Sequence, residues 1–225
     1  MNDLALLERL SPAVARITLN RPDKKNALSI ALRDAVSDRL DALAPDGDVK
    51  CVILTGSGGA FSAGFDFSEF EKAFADSAFN DRLWASSDRY HLALLRFPLP
   101  IVAAVDGPAM GGGMDTAVLC DLRVASTRAA FGHPEAAFGD VVYAPLHDLI
   151  GGAAARELCF TGRRIGAEEA LRLGRVSEFV APETLEARAA AIAEQIAKGS
   201  RDVLLRTKAK IIARARIAFE HTRAL

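Results

Sequence analysis

The stretch Pro100 to Asp121, P-I-V-A-A-V-D-G-P-A-M-G-G-G-M-D-T-A-V-L-C-D, decides how this 225-residue chain is read. Ile101 to Val105 is an apolar run of strand length, and Asp106-Gly107-Pro108 ends it. The triplet Gly111-Gly112-Gly113 then opens a helix that continues through Leu119, and Leu122 to Ala125 makes the next strand. Strand, loop, helix and strand in that order predict an α/β fold. Consecutive glycines at a helix start leave backbone N–H groups open to a ligand, and the helix dipole there favours negative charge. Such a place suits an oxygen that becomes anionic during a reaction. Tight packing of the helix on a neighbour would also call for glycine, and the triplet alone does not choose between the two.

Outward from this segment the same unit recurs. Ala13 to Asn20 reads as a strand broken by Arg21-Pro22-Asp23, and Ser29 reads as the N-cap of a helix over Ile30 to Leu43. Lys50 to Thr55 is a buried-type strand that opens into Gly56-Ser57-Gly58-Gly59. Phe67 to Phe97 is expected to be largely helical with an interruption near Ser77 to Asn80. Helices are expected near Gly152 to Thr161, Ala167 to Leu173 and Pro182 to Lys198, with a last one from Arg201 onward. We read residues 1–200 as one core domain and 201–225 as a short basic C-terminal helix.

Composition narrows the function classes. Half the residues are hydrophobic (50%), a quarter are charged (25%), and the formal net charge is −1. No overall field would draw such a chain to nucleic acid or to an anionic membrane. Met1 to Leu10 lacks a basic start and an apolar run, so no secretory signal is expected. Asp106, Asp115 and the glycines interrupt the apolar stretch Phe97 to Cys120, which argues against a membrane span. Cys51, Cys120 and Cys159 are widely spaced among apolar neighbours, without a metal-ligand pattern. Buried reduced thiols in a cytoplasmic protein without a metal are expected.

Two glycine motifs invite other readings. Gly56 to Phe61 resembles a dinucleotide fingerprint, but Phe61 stands where a small residue must let helix and strand pack. Ala60 to Gly64 resembles a nucleophile elbow around Ser62, but the first glycine and the acid and histidine partners are missing. Two carboxylates remain. Asp115 begins the helix in an otherwise apolar run, as a proton-transfer group or as a capping carboxylate. Glu135 follows His133 and Pro134 in a loop-like stretch, as a proton-transfer group or as an exposed turn residue. If the two converge on one substrate carbon they can divide proton delivery and removal.

Four segments together resemble the crotonase (enoyl-CoA hydratase/isomerase) superfamily: Ile17 to Leu28, Val52 to Asp66, Pro100 to Asp121, and Phe131 to Gly139 (F-G-H-P-E-A-A-F-G). Thr161 to Ala170 and Gly174 to Val180 extend the likeness to about residues 13–198. The resemblance implies a spiral of repeated ββα units with a helical C-terminal region. It implies an acyl-CoA thioester substrate bound through an oxyanion hole made by the backbone N–H groups of Phe65 and Gly112. The two catalytic carboxylates fall on Asp115 and Glu135. Coenzyme A contacts fall on Lys24, Lys25, Ala27, Ala63, Asp66 and Phe67. Coenzyme A arrives as part of the substrate, so no separate cofactor is implied, and the family likeness implies a homo-oligomer, a trimer or hexamer.

The activity so implied is that of an enoyl-CoA hydratase or isomerase working through a thioester enolate. Acyl-CoA hydrolysis or C–C bond cleavage, and non-catalytic acyl-CoA binding, are the alternatives. Three departures bear on the choice. Asp115 stands where hydratases of the family carry Glu, and one fewer methylene withdraws the carboxylate by about 1.5 Å; a displacement of about 1 Å can cost ~10²-fold in rate. Asp115 resembles the dienoyl-CoA isomerases, but their further aspartate falls on Tyr143. Asp140 to Leu146 (D-V-V-Y-A-P-L) replaces the usual proline- and glycine-rich stretch, so a reshaped acyl pocket is expected. The aromatics Phe67, Phe70, Phe74, Phe79, Trp84 and Tyr90 are expected mostly to pack in the core. The basic residues Arg206, Lys208, Lys210, Arg214 and Arg216 are expected to form a solvated face, and a further C-terminal helix common in the family is expected to be absent.

Overall fold

The structure is a computed structural model that describes residues 3–137 and 139–225. Phe138, quoted in the fourth motif, lies outside the described residues, as do Met1 and Asn2. The frame is a six-stranded sheet in the order β1-β2-β3-β4-β6-β9. Its strands are β1 (Ala5–Arg9), β2 (Val14–Leu19), β3 (Cys51–Gly56), β4 (Ile101–Val105), β6 (Leu122–Ser126) and β9 (Glu178–Val180). β1 runs antiparallel to β2 and every other neighbour is parallel. Both faces are covered, which is why β3 and β4 read as unbroken apolar runs. Val52, Leu54, Ile101, Ala103 and Val105 join the larger core under helices α1 (Ile30–Leu43), α3 (Ser77–Arg96) and α4 (Gly112–Leu119). Cys51, Ile53, Val102 and Ala104 point the other way, against α8 (Leu185–Ala197).

A smaller sheet, β5 (Pro108–Met110), β7 (Ala130–Gly132) and β8 (Ile165–Gly166), lies beside the large one. The chain alternates between them: β4 belongs to the large sheet, β5 to the small one, and α4 follows; β6 and β7 repeat the step. This is the repeated ββα arrangement. The strands of the small sheet are too short to give a sequence period, which is why the chain reads there as loop.

Ser29 caps α1, accepting from Leu32 N as its sequence position predicts. The long helical stretch breaks one residue earlier than expected, at Asp76, whose carboxylate caps α3 after α2 (Phe67–Ala75) ends. Asp140 to Leu146 leads into a helix not foreseen, α5 (Ala144–Ile150), ahead of α6 (Gly152–Thr161) and α7 (Ala167–Arg172). The basic helix is α9 (Arg201–Ala215), and it is not wholly a solvated face. Lys208 is buried and binds both Asp121 carboxylate oxygens at 2.6 Å. The aromatics also depart from expectation. Tyr90 is fully buried, but Phe67 is 64% and Phe74 90% exposed, because α2 buries none of its residues. All three cysteines are buried and free. Among the described residues no helix is long and apolar enough to cross a membrane.

Candidate active site

Three backbone segments leave the small sheet side by side. Ser62 bridges Ala109 in parallel, and Met110 N donates to Ser62 O at 2.9 Å. β5 pairs with β7 so that Met110 faces Gly132, and Gly111 N donates to Gly132 O at 2.9 Å. The loop after Ser62, the start of α4 and the Glu135 turn therefore emerge together. Residues about 20 to 50 apart in sequence meet because their strands run in one direction and end in register.

The glycines show how closely these segments approach. A Cβ on Gly64, whose φ is +91°, would meet Met110 O at 2.7 Å and Gly112 N at 3.4 Å. The peptide leading into Phe65 thus abuts the first turn of α4, where N–H groups have no acceptor within the helix. A Cβ on Gly111, with φ +52°, would meet both Glu135 carboxylate oxygens at 3.0 Å. A Cβ on Gly113 would strike Ser62 O at 2.6 Å. The triplet thus permits close contact between the helix start and its neighbours, one of the two purposes left open by its sequence.

Glu135 sits in a single 3-10 turn, Pro134–Ala137, and is partly buried. Asp115 is 6% exposed in the first turn of α4, and all of α4 is buried. Sequence reading passed over the residue that links them. His133 Nε2 donates to Asp115 Oδ1 at 2.7 Å, with the imidazole fully enclosed. One donor atom from each of Asp115, His133 and Glu135 lies within 4.8 Å of the others. A histidine two residues before a carboxylate in an apolar stretch was the available signal.

The electrostatics follow from this grouping. Burial opposes a charge on His133, but the charge of Asp115 and the hydrogen bond to it outweigh that, and the imidazole is pushed up to about 10. Burial, then the charge of Asp115, raises Glu135 to about 7, with His133 opposing. His133 and Asp115 thus form a hydrogen-bonded pair beside a carboxyl that burial raises. Arg175, fully buried with its guanidinium 4.7 Å over the Phe131 ring, adds positive potential behind the pair.

The Phe65 ring lies over the start of α4, where a Cβ on Gly112 would meet it at 2.7 Å. It stacks on buried His91 at 6.3 Å, with the Arg33 guanidinium 4.6 Å from the ring centre. Phe70 and Trp84 complete an aromatic wall. Lys24 and Lys25 are exposed on the turn before Ala27, and Ala63 N donates to Lys25 O at 2.9 Å, so this turn flanks the loop from Ala63 to Phe65. Asp66 caps α2 through Ser68 and binds Arg21 at 2.5 Å; Phe67 beside it is exposed. Ser62 is fully buried and donates to Asn26 O at 2.8 Å, so it is no nucleophile.

A mixed α/β spiral that directs a helix start, a glycine-bearing loop, a buried carboxyl and a partly buried one to one place defines a crotonase-fold protein. The comparisons agree. The family model for enoyl-CoA hydratase/isomerase matches residues 9–225. A mitochondrial enoyl-CoA hydratase of Pongo abelii is 34% identical over 215 residues, 94% of this chain and 71% of that one. The solved enoyl-CoA hydratase of Bacillus anthracis superposes with a TM-score of 0.88 at 31% identity, covering 96% of this chain and 84% of that one. A structure described as a monofunctional enoyl CoA isomerase from M. smegmatis gives 0.81 at 31% identity, covering 97% of each chain. The chain belongs to the enoyl-CoA hydratase/isomerase family of the crotonase superfamily.

Proposed function

We propose that this acyl-CoA-transforming enzyme shifts a carbon–carbon double bond of an enoyl-CoA, with Glu135 carrying the proton and water addition a minor path. The observation that carries the reading is the commitment of Asp115 to His133 at 2.7 Å. Water addition needs one group to activate the water and another to deliver a proton, whereas moving a double bond needs one group that takes a proton and returns it. Glu135, raised to about 7, is matched to that task at neutral pH.

In this reading the thioester oxygen accepts from the N–H groups of Phe65 and Gly112. The Glu135 carboxylate removes a proton from the carbon next to the thioester of a 3-enoyl-CoA, and negative charge moves onto that oxygen. The resulting dienolate takes the same proton back two carbons further along, giving the 2-enoyl-CoA and restoring the carboxylate. No electrons are gained or lost and no cofactor is needed. Preorganised donors at such an oxygen contribute about 3–4 kcal/mol. Lys24 and Lys25 meet the coenzyme A phosphates, with Ala27, Ala63, Asp66 and Phe67 along its path. The buried reduced thiols support a cytoplasmic setting, and exposed Phe74 and Phe160 support a homo-oligomer, trimer or hexamer.

The test is incubation with 3-enoyl- and 2-enoyl-CoAs in deuterated water, followed by mass spectrometry. Double-bond migration without gain of a water is expected, and Glu135→Gln should lower the rate by ~10²–10⁴-fold. A product heavier by one water as the main outcome, or a Glu135→Gln variant of unchanged rate, overturns the assignment.

A further inference from the structure

We propose that His133 is a positioning residue of this site: it holds Asp115 in a buried ion pair, withdraws it from the substrate, and thereby leaves Glu135 as the single proton carrier. The inference rests on the isomerase reading only for the identity of the reaction; the pair itself rests on geometry. His133 Nε2 lies 2.7 Å from Asp115 Oδ1, with the two side chains 0% and 8% exposed. His133 leaves β7 at the point where Gly111 N is tied to Gly132 O, so its backbone is fixed relative to the α4 helix that carries Asp115. Nδ1 is buried, and the Cys159 thiol that also bonds the ring is a weak partner, so Asp115 is the side chain that chiefly orients it. Glu135 follows two residues later with its carboxyl against Gly111, at the N-cap of α4.

Charged and titratable groups surround the pair from each neighbouring element. Asp115 comes from α4, Glu135 from the turn, Cys159 from α6, His91 and Tyr90 from α3, and Arg175 from the loop after α7. Two act on Glu135 with opposite signs: the charge of Asp115 raises it, and that of His133 lowers it by less. Removing the histidine exposes Glu135 to an uncompensated carboxylate. Removing the aspartate takes away the larger influence and releases the imidazole from its charge.

The two variants should therefore move the pH–rate profile in opposite directions. His133→Gln should raise the midpoint of the Glu135 limb by about one unit, with KM changed less than kcat. It should also increase the share of water-added product several-fold, since Asp115 is freed. Asp115→Asn should lower the midpoint. In the unmodified protein, ¹⁵N NMR of the imidazole should show both nitrogens of His133 protonated at pH 8, a reading that needs neither turnover nor a folded variant. A His133 ring that titrates near the ordinary value of about 6.5, or two variants that lose rate equally at every pH, overturns the proposal. An unmodified enzyme that mainly adds water overturns the isomerase reading alone; the ion pair then stands on the imidazole signal and on the opposite shifts.

Discussion

At Gly64 the backbone does the work of a side chain. Its φ of +91° is reached readily only by glycine, and an added methyl would press on Met110 O at 2.7 Å. Relief would move the Phe65 amide away from Gly112. Gly64→Ala should therefore lower kcat by about 10²-fold, by displacing a donor about 1 Å, while far-ultraviolet circular dichroism stays that of the parent. An unchanged kcat would mean that the Phe65 amide is no donor. The motif around this glycine was legible in the chain, and so was Glu135. The role of His133 was not, since a lone histidine gains its charge from a partner 18 residues away that only packing supplies.

The elements differ in what fixes them. The α1 cap at Ser29 is local chemistry, and replacing it by alanine should cost about 1 kcal/mol. The hold on α9 is tertiary. Lys208 is 5% exposed, and its partner Asp121, 15% exposed, also accepts from Ile101 N at 2.8 Å on β4. Lys208→Met removes the cation from a part-buried carboxylate, which costs up to about 3–5 kcal/mol, so urea unfolding should show a larger loss than for Ser29→Ala. Equal losses would mean that water reaches Asp121 freely. Helices with caps and a period were read from sequence to within a residue or so, as for α1 and α6. Strands of two or three residues, and α5 with its proline start, had no periodic signal to read.

Over the whole molecule the buried charges link stability to pH. The folded protein holds His133 protonated up to about 10, against an ordinary value of 6.5. That contribution is full below about 6.5 and fades as pH rises toward 10, because the folded state binds the extra proton. Glu135, raised from 4.5 to about 7, acts in the same direction over its own range. Thermal melting should therefore fall steadily from pH 7 to pH 10, and His133→Gln should flatten that decline. A parent protein whose melting temperature is level across this range would contradict a buried imidazolium.

By itself the sequence determined the α/β alternation and, by likeness, the spiral of ββα units, and it offered the glycine-framed loop at Gly64 and the carboxylates Asp115 and Glu135 as candidates. These rest on local conformational need or on motifs contiguous in the chain. Only the tertiary structure decided that Asp115 is bound to His133, that Lys208 is buried rather than solvated, and that Phe67 and Phe74 are exposed while Phe70 and Trp84 wall the Phe65 ring. Burial and charge pairing are properties of neighbours brought together by parallel strands in register, and no span of residues carries them alone.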